Sequence, residues 1–246
     1  MVRVEICVDT PDGLQNAVRG GADRIELCSA LALGGLTPSA GLIAFAGQLG
    51  VPTLAMIRPR AGGFVWSPAE IAVMRDDIRA TRSAGLAGLA GVVLGASGRD
   101  GALDTATLAT LMADAKGLTT TLHRCFDLVP DPFAALEQAI ALGFDRILTS
   151  GQAVTATQGI DLITRLHAVA AGRIVIVPAS GITAQNVRRF TALGLREIHA
   201  SCSVARAEDE KVAGFGFGPA QRRETDAGLL RALIAASKES NGADQC

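Results

Sequence analysis

The sequence predicts a single-domain α/β protein, a (β/α)8 TIM barrel, and three observations carry that prediction. Eight short β-rich runs alternate with helical patterns: about Val2–Val8, Arg24–Cys28, Thr53–Arg58, Gly91–Gly95, Thr119–His123, Arg146–Ser150, Ile174–Val177 and Glu197–Ser201. Strands that alternate with helices pair in parallel. The 246 residues match the usual size of one such barrel. A glycine-led segment also recurs before every second strand. It reads Gly21-Ala22-Asp23-Arg24-Ile25, Gly143-Phe144-Asp145-Arg146-Ile147 and Gly194-Leu195-Arg196-Glu197-Ile198, with Gly88-Leu89-Ala90-Gly91-Val92 as a looser copy. In each, glycine suits the end of a helix. An open dinucleotide-binding sheet is disfavoured, because Asp9-Thr10-Pro11-Asp12-Gly13 after the first strand is no glycine fingerprint. The expected organisation is one barrel over residues 1–246, with an irregular loop over 202–223 before the last helix.

Helix starts are written locally. Thr10-Pro11, Thr37-Pro38, Ser67-Pro68 and Asp131-Pro132 each place a capping oxygen before a proline suited to the first helical turn. They are expected to open helices 1, 2, 3 and 5. Ser67 with Glu70 fits a capping box.

Composition narrows the function. Mean hydropathy is +0.33, yet the longest nearly unbroken apolar run, Gly85–Ala96, is too short to cross a bilayer. No signal-peptide pattern opens the chain. With 23 basic and 24 acidic residues and no basic run, nucleic acid is not an expected partner. Cys7, Cys28, Cys125, Cys202 and Cys246 are widely spaced and contain no C-x-x-C, which fits a reducing, cytoplasmic setting. Lys116, Lys211 and Lys238 are the only lysines, and none ends a strand. That argues against Schiff-base and pyridoxal-phosphate chemistry, and no nucleotide cofactor is expected.

Side chains alternate along a strand, and the helix-facing parity must be apolar. Val4, Ile6 and Val8 therefore face out, leaving Glu5, Cys7 and Asp9 inward. Arg24, Glu26 and Cys28 point inward on the second strand, and Glu197, His199 and Ser201 on the eighth. Thr121 and His123 do so on the fifth, and Arg58 and Arg60 lie at the end of the third. His167 falls within a helix. Barrel interiors are normally layered with branched apolar residues, and barrel active sites lie at the C-terminal strand ends. Glu5, Glu26, Arg58, His123 and His199 are thus a candidate catalytic pocket. A static ion-pair network is the alternative reading of the same charges.

At this point the residues resemble a known family. Glu5-Ile6-Cys7-Val8-Asp9, Gly21-Ala22-Asp23-Arg24-Ile25-Glu26-Leu27-Cys28 and Gly34-Gly35-Leu36-Thr37-Pro38-Ser39 are similar to the first third of CutC proteins. Met56-Ile57-Arg58-Pro59-Arg60, His123-Arg124 with Phe126-Asp127, Arg146–Gly151 and Glu197-Ile198-His199 continue the resemblance to about Ser201. It implies a (β/α)8 barrel, a cytoplasmic location, a homodimer or higher homo-oligomer, and a part in copper homeostasis. The chain departs from the family at Cys125 and in the Gly/Phe-rich stretch Gly214–Gly218.

Two functions follow. In the first, Cys7 and Cys28 bind Cu(I), because soft thiolates select that ion. They sit on neighbouring strands with staggered sulfurs, and burial as small hydrophobes is the alternative for each. Cys246 is a possible adventitious ligand. In the second, the chain is an enzyme acting on a small polar, phosphorylated or sugar-like metabolite. The Glu/His set supplies acid/base groups, while Ser180, Gly181 and Ser201 after strands 7 and 8 are candidate anion contacts. A divalent metal on Glu5, Glu26, His123 and His199 and a metal-free mechanism stay equally open.

Overall fold

Alternation builds the first strand as expected. In β1 (Arg3–Val8), Val4, Ile6 and Val8 join the main apolar core, while Glu5 and Cys7 occupy the opposite face. β2 (Arg24–Leu27), β3 (Thr53–Met56), β4 (Leu89–Leu94), β5 (Thr119–Leu122), β6 (Arg146–Thr149), β7 (Val175–Pro178) and β8 (Glu197–Ala200) follow. Their ladders are all parallel, in the order β7-β6-β5-β4-β3-β2-β1-β8, and β7 packs beside β8 at the seam. This is the (β/α)8 barrel. The structure is a computed structural model and describes residues 2–83 and 89–238. Gly88 of the looser repeat, part of the run Gly85–Ala96, and Cys246 lie outside the described residues.

The helices between strands are α1 (Pro11–Gly20), α2 (Ala40–Gly47), α3 (Pro68–Ser83), α4 (Thr105–Asp114), α5 (Pro132–Ala141), α6 (Ile160–Ala170) and α7 (Val187–Thr191). Thr10 Oγ1 accepts from Gly13 N–H, and Asp131 accepts from Phe133 and Ala134 N–H, so both cap as expected. Ser67 and Glu70 bond reciprocally in a capping box. Thr37-Pro38 does not open α2. Ser39 caps that helix, accepting from Leu42 N–H. Thr37 is instead held by the chain after β3, donating N–H to the Arg58 carbonyl and accepting from Arg58 N–H through Oγ1. A tertiary pairing outcompetes the local capping preference there.

The repeated segment has a structural basis. Gly21 and Gly143 adopt left-handed φ of 87° and 81° after their helices. The aspartate two residues on then caps the preceding strand: Val4 N–H donates to Asp23 (2.8 Å) and Thr120 N–H to Asp145 (2.7 Å). The copy before β8 has Arg196 at that position, and Arg3 N–H goes to its backbone carbonyl instead.

Residues 202–223, expected to be an irregular loop, carry most of a hairpin arm. β9 (Ser203–Ala207) and β10 (Gln221–Thr225) pair antiparallel, and α8 (Glu210–Gly214) lies between them. Cross-strand Arg206–Glu224 and Arg222–Glu208 ion pairs flank the ladder. Most of their residues are exposed and β10 is polar throughout, so no apolar alternation marks these strands. α9 (Ala227–Lys238) then returns to pack on α1 and α7. No helix among the described residues is long and apolar enough to cross a membrane.

Candidate functional site

The barrel axis is lined in levels. Deepest is an ionic group drawn from β1, β2, β6 and β8. Arg24 donates to Glu5 through Nε (2.5 Å) and to Glu197 through Nη2 (2.6 Å). Arg146 donates to Thr121 Oγ1 (3.0 Å) and lies 4.0 Å from Glu197. Above Arg24, the second oxygen of Glu5 meets His199 Nδ1 at 2.8 Å. Burial alone would raise the Glu5 pKa, but the His199 hydrogen bond and the Arg24 charge bring it down to about 2. Burial likewise opposes charge on His199. The carboxylates of Glu26 and Glu5 and the Cys7 sulfur outweigh it and hold the imidazole well above its ordinary value.

The next level is a donor cluster. Cys7 Sγ, a Glu26 oxygen and a His199 ring nitrogen all lie within 4.8 Å of one another. The ladder causes this. Cys7 pairs in register with Glu26, and Glu5 with His199, so the three inward side chains converge where β8, β1 and β2 adjoin. His199 Nε2 is 3.8 Å from Glu26 Oε2, and Glu26 Oε1 is buried without a hydrogen-bond partner. Burial and the Glu5 charge raise the Glu26 pKa against the pull of His199. Cys28 stands one step further along β2. Its thiol donates to Glu26 Oε2 at 3.7 Å, and burial pushes its pKa well up. It packs with Leu54, Met56 and Val93 of the interior.

On the opposite wall, His123 follows β5 and caps a short 3-10 turn at Arg124–Leu128. Cys125 N–H donates to its Nδ1 at 3.1 Å. Burial, with the nearby Arg58 charge, pushes His123 down to about 3. The ring is therefore neutral and carries its proton on Nε2. That Nε2 is buried without a partner. Gly95 makes room for the ring, since a Cβ there would collide with His123 Cε1.

A cavity of about 550 Å3 opens over these groups at the C-terminal end of the strands. Cys7, Glu26, Arg58, His123, His199, Ser180, Gly181 and Ser201 all line it; Glu5 and Cys28 lie behind that lining. Leu54 and Met56 belong to the interior cluster and Ile57 to the outer core, which puts Arg58 inward. Arg60 turns out of the barrel onto Glu70 and the face of Trp66.

Sequence reasoning passes over several polar groups. Arg146 is legible by the alternation rule applied to β6. Asp127 is not. It accepts from Thr149 Oγ1, from Ser150 N–H and Oγ, and from Arg124, and so ties the turn after β5 to the end of β6. Arg124 also reaches the cavity.

This site sits in a chain with named relatives. A protein of Rhizobium meliloti named family protein CutC is 54% identical over 236 residues, covering 95% of each chain. The human copper homeostasis protein cutC homolog is 47% identical over 245 residues, covering 96% of this chain and 89% of its own. The crystal structure of CutC from Streptococcus agalactiae superposes with a TM-score of 0.75 at 33% identity, over 81% of this chain and 98% of that one. A sequence model described as the CutC family matches residues 2–204. The chain belongs to the CutC family.

Proposed function

We propose that this protein takes part in copper homeostasis by binding Cu(I) at the Cys7–Glu26–His199 cluster in the cytoplasm. The observation that carries the reading is the convergence of those three donors within 4.8 Å beside an open cavity. Two of the three donors fit the ion, and the Glu26 carboxylate is the harder one. A thiolate is the soft ligand Cu(I) prefers, and imidazole suits copper. Glu5 supplies the outer partner. Metal binding would displace the Nε2 proton of the imidazolium, and Nδ1–H would keep donating to Glu5, the carboxylate–histidine–metal arrangement. Cys28, whose thiol donates to the same Glu26 carboxylate, is the second candidate thiol. Reduced thiols require a reducing compartment, and the relatives' copper-homeostasis name points the same way. Assembly into a homodimer or larger homo-oligomer belongs to the same reading.

The test is a competition titration of reduced, metal-free protein with Cu(I) against a calibrated chelator. One-to-one binding is expected, lost in Cys7→Ser and weakened by about ten- to a hundred-fold in Glu5→Gln through the misdirected imidazole. Zn(II) titrated in parallel separates a copper site from a general Cys/His/Glu site. Binding that survives Cys7→Ser overturns the proposal, and its loss in Cys28→Ser alone would move the site to Cys28.

The enzyme reading keeps one supporting observation. Glu26 Oε1 and His123 Nε2 are both buried and unpartnered, and both residues line one cavity, as an acid/base site at this end of a barrel requires. Ser180, Gly181 and Ser201 are its proposed anion contacts.

A further inference from the structure

Arg58 is buried to 5% exposure, and its guanidinium is held in advance of any ligand. Nη1 donates to the carbonyls of Leu33 (2.8 Å) and Gly35 (3.0 Å), Nη2 to that of Gly62 (2.8 Å), and the Phe64 ring lies 5.1 Å from its centre. The loop wraps it closely. Gly34 adopts φ +85°, and a Cβ there would sit 3.2 Å from Nη1. All of these partners are carbonyl dipoles or a ring. Among the described residues no carboxylate pairs with Arg58, whereas Arg24 has Glu5 and Glu197, and Arg60 has Glu70. A buried charge without a counter-ion is costly unless something arrives to meet it. Arg58 Nε and His123 Nε2–H are both buried without a partner, and both residues line the same cavity. His123 can only donate there, because its Nδ1 is engaged by Cys125 N–H.

The geometry points to a second binding function: Arg58 and His123 form an oxyanion site that takes the carboxylate or phosphate head of a small organic molecule. A fixed cation beside a neutral N–H donor is the combination that holds an oxyanion strongly. Because both groups are immobilised beforehand, little side-chain entropy is lost on binding. The walls at Met56, Phe64 and Leu148 are apolar and suit the body of such a ligand. The site lies at the ends of β3 and β5, whereas the Cys7–Glu26–His199 cluster is drawn from β1, β2 and β8, and it does not depend on copper.

Calorimetric titration of the full chain, reduced and metal-free at pH 7, tests this with three probes that share one body: benzoate, phenyl phosphate and the neutral benzamide. Trp66, the only tryptophan, gives an independent fluorescence readout through its edge contact with Phe64. At least one anion is expected to bind about ten-fold or more tightly than benzamide, and which one does so separates a carboxylate ligand from a phosphate. Arg58→Met should abolish that preference. If Arg58→Met does not fold, His123→Phe must weaken the preferred anion several-fold while leaving benzamide unchanged. The inference is overturned if all three probes bind alike, if none binds, or if the anion preference survives in the folded variants. A chain that binds the anion but no Cu(I), or the reverse, separates this inference from the copper proposal.

Discussion

His199 and His123 each lie at the C-terminal end of a barrel strand, each is buried, and each lines the same cavity, yet they are driven to opposite states. His199 meets Glu5 directly and faces Glu26, so two carboxylates raise its proton affinity. Burial, with the charge of Arg58 and no carboxylate to offset it, pushes His123 down to about 3, and its Nδ1 accepts from a backbone N–H. The wall formed by β8, β1 and β2 is therefore an ion-paired cluster in which a thiol, a carboxylate and an imidazole converge. The wall at the ends of β3 and β5 is a neutral donor beside an unmatched cation. Residue type is the same in both cases, and the surroundings decide the role.

Removing Glu5 breaks the first wall with the largest expected effect. Glu5→Ala leaves Arg24 and His199 buried with a lost partner and should cost about 3–5 kcal/mol in urea unfolding at pH 7. The pH dependence has a definite sign. A carboxylate held to about 2 stabilises the fold above its ordinary value of 4.5, and that contribution is lost as pH falls toward 2. Acid unfolding of the wild type should include this step, and Glu5→Ala should lack it.

Gly95→Ala attacks the second wall. The added methyl collides with His123 and with Cys125 Sγ, so about 1–3 kcal/mol of destabilisation is expected, read by thermal and urea unfolding. A structure of this variant should show the His123 ring displaced from Cys125 N–H.

The two histidines also titrate in opposite directions, and 15N-detected imidazole spectra separate them. His199 should remain an imidazolium as pH rises past 6.5. Its stabilising contribution is complete below 6.5 and disappears as pH climbs through the raised value. His123 should keep the Nε2–H tautomer down to about pH 3, and its refusal of a proton lowers stability as pH drops below 6.5. A protonated His123 at pH 6, or a neutral His199, would erase the comparison.

The smallest effect belongs to the hairpin arm. Phe215 and Phe217 stack on each other at 6.3 Å but are 77% and 82% exposed. Changing both to serine should alter unfolding free energy by only about 0.5 kcal/mol or less.

Much of this site is legible in the chain's own periodicity. Period-two alternation with an apolar outer face puts Glu5, Cys7, Glu26, Cys28 and His199 inward, and the ladders have that parity. Capping at Thr10, Ser67 and Asp131 is legible because it is local. The Thr37-Pro38 start fails because Thr37 binds the backbone of Arg58, which is distant in sequence. The arm over residues 202–223 escapes the same reading because its strands present arginine, glutamate and alanine to solvent on both faces.

The sequence by itself determined the barrel, its eight strands and the inward side of β1, β2, β5 and β8, because those depend on periodicity and local capping. The tertiary structure decided which charges meet. Register set Cys7 against Glu26, and so left Cys28 a step removed. Ring partners set one histidine charged and the other neutral, and loop closure around Arg58 left its charge unmatched. These outcomes rest on distances of a few ångströms between different strands and loops, which no period along one segment encodes.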